Sequence, residues 1–190
     1  MQINIRLLKA AAFAISKDAM RYYLNGVCLQ ADEKNGVILI ATDGHRLLAF
    51  RDSETWEGEP INVIIPSDVI ASIKLNKYYD EGELTQDGDK WSLEYAGAPG
   101  ITFKMIDGTF PDWRRVVPNE FSGEQATFNP KYYGDFAKVA KSSPSFIRLI
   151  RSTQADSFFT KICCACAVAF LLVIVFFPLL LNSIFRNNSR

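Results

Sequence analysis

The strongest constraint on the fold is an order of elements that residues 2–105 run through twice. Residues 2–6 alternate as a short strand. Residues 7–17 (LLKAAAFAISK) are helix formers with apolar side chains at helical spacing. Residues 21–30 read as a strand. Asn35-Gly36 is a hairpin dipeptide, residues 36–42 (GVILIAT) form a buried strand, and Asp43-Gly44 turns the chain into a third strand over 45–51. The order then restarts. Residues 62–65 are β-rich, and Pro66-Ser67-Asp68 opens a helix to about Leu75, with Ser67 or Asp68 as its N-cap. Strands follow over 83–86, 90–95 and 101–105, with Asp87-Gly88 and residues 97–100 as turns. The period is about 55 residues by inspection. The expected fold class is α+β, built from a duplicated β-α-β-β-β unit. Two copies paired edge to edge would give a continuous antiparallel sheet with both helices on one face.

Beyond this pair the pattern changes. Residues 107–118 (DGTFPDWRRVVP) read as an ordered crossing segment, and the polar stretch 119–125 marks a boundary. Residues 128–140 (FNPKYYGDFAKVA) have helical spacing and open a further unit. The expected division is therefore a domain over 1–122, an incomplete unit over 123–145 and a divergent hydrophobic tail over 146–190. Charge follows the same division. Residues 1–122 hold 13 Lys/Arg against 18 Asp/Glu, and the remainder holds 8 against 3. An acidic first part does not read as a generally basic nucleic-acid binder. The four cysteines, Cys28, Cys163, Cys164 and Cys166, have neither disulfide-framework nor zinc-ribbon spacing, which fits a reducing cytoplasm. Lys9 and Lys17 bracket too short and mixed a segment for a signal peptide.

An enzyme is the first functional class to weigh. Asp43, His45 and Arg46 could be imagined as an acid–base set, but neighbouring strand residues point to opposite faces. His45 is the sole histidine, and no nucleophile motif, Gly-rich phosphate loop or metal-ligand cluster accompanies it. No catalytic residue, cofactor or metal is expected.

Three segments point elsewhere: Arg21-Tyr22-Tyr23-Leu24-Asn25-Gly26, Ala41-Thr42-Asp43-Gly44-His45-Arg46-Leu47 and Phe110-Pro111-Asp112-Trp113-Arg114-Arg115-Val116. In this order and at these separations they resemble the central domain of the β subunit of bacterial DNA polymerase III, the β sliding clamp. The resemblance covers residues 1–124 well and 128–143 more loosely, as the start of the clamp's third domain. It implies the DNA-clamp fold and a closed homodimeric ring around duplex DNA. Helices line the hole of such a ring, and its partners include the clamp loader and DNA polymerase III. It also implies a pocket for short peptides, which carries over onto Leu24, Thr42, Gly44, His45, Arg46, Leu47, Pro111, Arg115 and Val116. In it, Leu24, Leu47, Pro111 and Val116 would form an apolar cleft, and Arg46 and Arg115 would orient polar groups of the peptide. Lys9, Lys17, Lys74 and Lys77 would face DNA as a mobile, sequence-independent contact, with Tyr22 or Tyr23 at the ring face. Plainer readings stand beside these. The lysines are then ordinary solvated positions, Asp43-Gly44 only a turn, and Pro111 and Trp113 pins for the connector.

The tail departs from that family. Residues 162–181 carry no charge over twenty positions, the length of a transmembrane helix. Three explanations stay open: a reading-frame shift or truncation, a fused membrane anchor, and a buried core helix. In the anchor case Pro178 is tolerable, and Arg148, Arg151 and Lys161 keep the N-terminal side cytoplasmic against Arg186 and Arg190. The chain would then be a membrane-anchored clamp-like module that recruits replication proteins without closing a ring.

Overall fold

The computed structural model describes residues 1–52, 56–76, 78–96, 98–117, 130–142, 148–151 and 172–176. The first unit comprises β1 (Gln2–Asn4), α1 (Ile5–Ala11), β2 (Gly26–Asp32), β3 (Gly36–Thr42) and β4 (Arg46–Arg51). The second comprises β5 (Ile61–Pro66), α2 (Ser67–Ser72), β6 (Glu81–Asp87), β7 (Lys90–Tyr95) and β8 (Ile101–Phe103). Strand, helix, three strands, twice over, is the order that the sequence predicts.

The helices are shorter than predicted. The Asn4 side chain caps α1 by accepting from the Leu7 N–H at 3.0 Å. A 3-10 turn over Ala12–Ala14 ends it, and the extended backbone at Ile15 brings the Ser16 N–H to the Leu24 carbonyl at 3.1 Å. Lys17 therefore lies beyond the helix. Residues 19–24, of which 21–24 were read as part of a strand, form a 3-10 turn capped by Asp18, which accepts from the Met20 N–H at 2.9 Å. α2 begins with Pro66 in the cap position and no side-chain cap, so neither Ser67 nor Asp68 has the predicted role. It stops before Ile73, whose backbone is extended and whose carbonyl accepts from the Lys9 ammonium.

The single continuous sheet is not what forms. The units exchange their first strands. β1 pairs antiparallel with β6 (Ile3 opposite Gly82), giving the order β1-β6-β7-β8. β5 pairs antiparallel with β2 (Cys28 opposite Ile64), beginning the order β5-β2-β3-β4. Gly82 shows why the first exchange fits: a Cβ there would lie 2.8 Å from Ile5 Cδ1, so the glycine leaves the space that Ile5 fills. One core serves both sheets. Ile3, Leu84, Trp91, Leu93 and Phe103 of one sheet meet Val27, Leu29, Leu39, Leu48 and Phe50 of the other, around Leu8 of α1 and Ile70 of α2. The α+β class holds, but the two helices pack into a core shared by two sheets and do not lie on one face of a single sheet.

α3 (Pro130–Ser142) is the helix predicted there, and its Phe136 and Val139 are buried in this same core. The tail brings a correction. Residues 172–176, predicted to lie within a hydrophobic helix, form β10 (Leu172–Phe176), antiparallel to β4 with Leu172 opposite Phe50 and Phe176 opposite Arg46. β9 (Arg148–Arg151) runs parallel beside β10 and completes the order β5-β2-β3-β4-β10-β9. The cause is local. LVIVF is β-branched and aromatic, and without β10 the β4 edge would present unpaired backbone groups. The rest of the predicted helix lies outside the described residues. Among the described residues, no helix is long and apolar enough to cross a membrane.

Candidate functional site

The sheet around β3 is buried on both faces. Its inner face meets α1. Its outer face carries Cys28, Ile38, Ile40, Leu47, Ala49 and Ile64, with Leu24 beside them, and is roofed by Phe110 and Trp113. The roof is residues 106–117, held at three points. The Ile106 N–H donates to the Ile64 carbonyl at 2.9 Å. Trp113 Nε1 donates to Gln30 Oε1 at 3.1 Å, and Arg114 donates to the same oxygen at 3.2 Å while lying over the Trp113 ring. Asp112 caps the 3-10 turn Trp113–Val116. This brings the predicted Leu24, Leu47 and Val116 into one apolar cluster. Pro111 and Arg115 are exposed on the same connector.

The turn from β3 to β4 is the second half of the site. The Thr42 hydroxyl donates to the Arg46 carbonyl at 2.7 Å and accepts from the Gly44 N–H at 3.1 Å. Asp43 Oδ1 accepts from the His45 and Arg46 N–H groups at 2.9 and 3.0 Å. Gly44 has φ +86°, and a Cβ there would meet Arg21 Nη1 at 2.6 Å, so both conformation and space favour glycine. Because His45 sits in the turn, strand alternation does not separate it from Arg46. The His45 ring stacks on Tyr132 at 6.3 Å, and the Arg46 guanidinium lies 4.9 Å from the same ring.

Arg46, expected to orient polar groups of a peptide, already has three partners within the chain. It is 9% exposed. Its Nε donates to Asp43 Oδ2 at 3.2 Å, Nη1 to Asp135 Oδ2 at 2.6 Å and Nη2 to the Phe13 carbonyl at 2.6 Å. The Lys138 ammonium, 2.8 Å from Asp135, and then Arg46 hold the Asp135 carboxyl below its ordinary value. Burial, followed by the nearby Asp43 charge, pushes the Tyr132 phenol up. Phe13, Tyr132 and Asp135 were not predicted. Only the general need of a buried guanidinium for a carboxylate hinted at such a partner.

The predicted DNA-facing residues differ in exposure. Lys9 is half-buried, with its ammonium on the Ile73 carbonyl. Lys17 and Lys74 are exposed, and Lys77 lies outside the described residues. Tyr22 is exposed, whereas Tyr23 packs on the outer-face cluster, its ring edge-on to Tyr22 at 5.8 Å. Burial pushes the Cys28 thiol up to about 12. Among the described residues no three His, Cys, Asp or Glu side chains gather as a metal site.

Two sheets that share one core with α1 and α2, with a connector folded across the outer face of one of them, define a clamp-type domain. The family model for the DNA polymerase III beta subunit, central domain, matches residues 2–112, and the chain belongs to that family. The beta sliding clamp of Caulobacter vibrioides is 37% identical over 123 residues, 61% of this chain and 32% of the relative. That of Vibrio cholerae is 29% identical over 154 residues, 80% of this chain and 41% of the relative. Among solved structures, the Pseudomonas aeruginosa sliding clamp matches with TM-score 0.51 and 27% identity over 63% of this chain and 34% of its own. The Bacillus subtilis clamp matches in fold, with TM-score 0.54 and 23% identity over 63% of this chain and 33% of its own. The chain thus spans about a third of the length of the first of these relatives.

Proposed function

We propose that the chain is a non-catalytic sliding-clamp module that tethers the replicative polymerase to duplex DNA through a peptide pocket on its outer face. The observation that carries this reading is the connector folded over an apolar sheet face, with Leu24, Leu47 and Val116 together beside the exposed Pro111 and Arg115. An apolar cleft with a basic rim suits a peptide that has an aliphatic anchor and a polar or acidic neighbour. His45, Thr42 and Gly44 shape the adjoining turn. Residues 123–145 are read as the start of a third domain, supported by α3 and by the length of the Vibrio alignment. Lys17, Lys74 and Lys77, with Tyr22, are the residues proposed to meet DNA phosphates, while Lys9 mainly braces α2. The partners of this reading are duplex DNA, DNA polymerase III, the clamp loader and further copies that complete a ring, in the cytoplasm.

The test is fluorescence anisotropy with a labelled short peptide that carries an aliphatic anchor residue beside an acidic one. Val116→Asp places a charge in the cleft and Arg115→Ala removes the rim cation. The expected losses of affinity are about tenfold or more for the first and about threefold for the second. Unchanged binding by Val116→Asp in a folded chain rules the cleft out.

A further inference from the structure

We propose that α3 is an intramolecular latch on the Asp43–Arg46 turn, in which Asp135 occupies the seat on Arg46 that a ligand carboxylate takes when the latch opens. This rests on the peptide-pocket reading and adds to it a chemical preference and a means of control.

The three partners of Arg46 are not equivalent. The Phe13 carbonyl is backbone. Asp43 is fixed by two backbone N–H groups as well as by Arg46 itself. Asp135 comes from a helix beyond the connector, and its described bonds are to side chains: Arg46 at 2.6 Å and Lys138 at 2.8 Å. Lys138 is mostly exposed, whereas Arg46 is buried. The Asp135 carboxylate therefore holds two cations at once and keeps a partner if it leaves the inner one. The helix need not move as a body, because Phe136 and Val139 anchor it in the core. A side-chain swing of Asp135 toward Lys138, with a shift of Tyr132, uncovers the guanidinium.

Access is present at the turn. Gly44 and His45 are exposed, and Asp43 is half-buried. Arg46 and Leu47 point to opposite faces of β4, so a ligand reaches both by running round this turn. One extended residue advances roughly 3.3–3.6 Å, so a short extended peptide can follow the turn from one face to the other. The seat demands charge. Without Asp135 the buried guanidinium keeps Asp43 at Nε but has no described carboxylate at Nη1, so a neutral group exchanges poorly for Asp135 and an acidic one exchanges well. The lowered titration of Asp135 keeps it charged near neutrality, as a competitor must be. The latch closes the site without closing the apolar cleft, and it sets a threshold that an acidic ligand is best equipped to cross.

The experiment uses the full 190-residue chain. The probes are two labelled short peptides with the same aliphatic anchor, one carrying Asp and the other Asn at the neighbouring position. Asp135→Asn empties the seat of its charge with little change of shape. It should tighten binding of the Asp peptide by about fivefold, through the larger competent fraction, and leave the Asn peptide unchanged. In the unaltered chain the Asp peptide should move the Arg46 Nε–H resonance and the Asn peptide should not. Equal affinities of each peptide for both proteins, with a stationary Arg46 resonance, overturn the latch and leave the pocket standing. Binding of neither peptide to either protein overturns the pocket and the latch together. If Asp135→Asn does not fold, the Arg46 resonance decides: movement with the Asp peptide alone supports the latch, and its absence refutes it.

Discussion

β3 and β7 hold equivalent places in the two units and meet opposite surroundings. In β3 (GVILIAT) every residue after Gly36 is buried, while in β7 (KWSLEY) burial alternates and only Trp91 and Leu93 are buried. The backbone repeat is the same. The difference is the 106–117 connector, which returns across the outer face of the first unit's sheet and has no counterpart over the second among the described residues. Repetition of a fold therefore does not repeat its site. A sheet face with Glu83 opposite Glu94 stays in water, and a sheet face that receives Phe110 and Trp113 becomes a second core with a rim.

That contrast can be broken at its strongest point. Trp113→Ala removes the main weight of the roof and should cost about 3–5 kcal/mol by urea unfolding of the full chain. A loss within the error of a surface substitution would mean that the connector is an appendage. The next effect is electrostatic and belongs to the first unit alone. The Asp135 carboxyl titrates below its ordinary 3.8 in the folded chain. Its contribution is complete above that value and is lost as pH falls through the lowered folded-state value. Asp135→Asn should therefore lower stability by about 1–2 kcal/mol at pH 7, and the gap should narrow in acid below about pH 4. A gap that stays constant down to pH 2 contradicts the pairing. The smallest change sharpens the comparison from the other side. Glu94→Thr relieves a like-charge pair on the open face and should raise stability by about 0.5 kcal/mol, read as a small increase in Tm.

The order of elements was legible because it is written locally. Asn35-Gly36, Asp43-Gly44 and Asp87-Gly88 punctuate strands whose apolar pattern is clear, and Gly36, Gly44 and Gly88 all adopt positive φ. The exchange of first strands was not legible, since it depends on pairings such as Gln2 with Glu83 and on the hollow at Gly82. The residues of the proposed site, Arg46 among them, were named through family likeness. The pairing of Arg46 with Asp135 was not, because the two lie 89 positions apart and neither segment names the other. β10 was missed for another reason. The uncharged length of 162–181 outweighed the β-branched Val173, Ile174 and Val175 within it.

The traded strands have a consequence for the molecule's assembly and ancestry. Neither half of the repeat is self-sufficient, for each lends the other the edge that completes its sheet. The pair is thus already built like a domain-swapped dimer whose two subunits have been joined in one chain. Two half-length polypeptides should find one another in solution as complementary pieces, while either alone lacks a border strand and a share of the common interior. A shuffled gene that carried only one half would inherit an open wound and not a smaller protein.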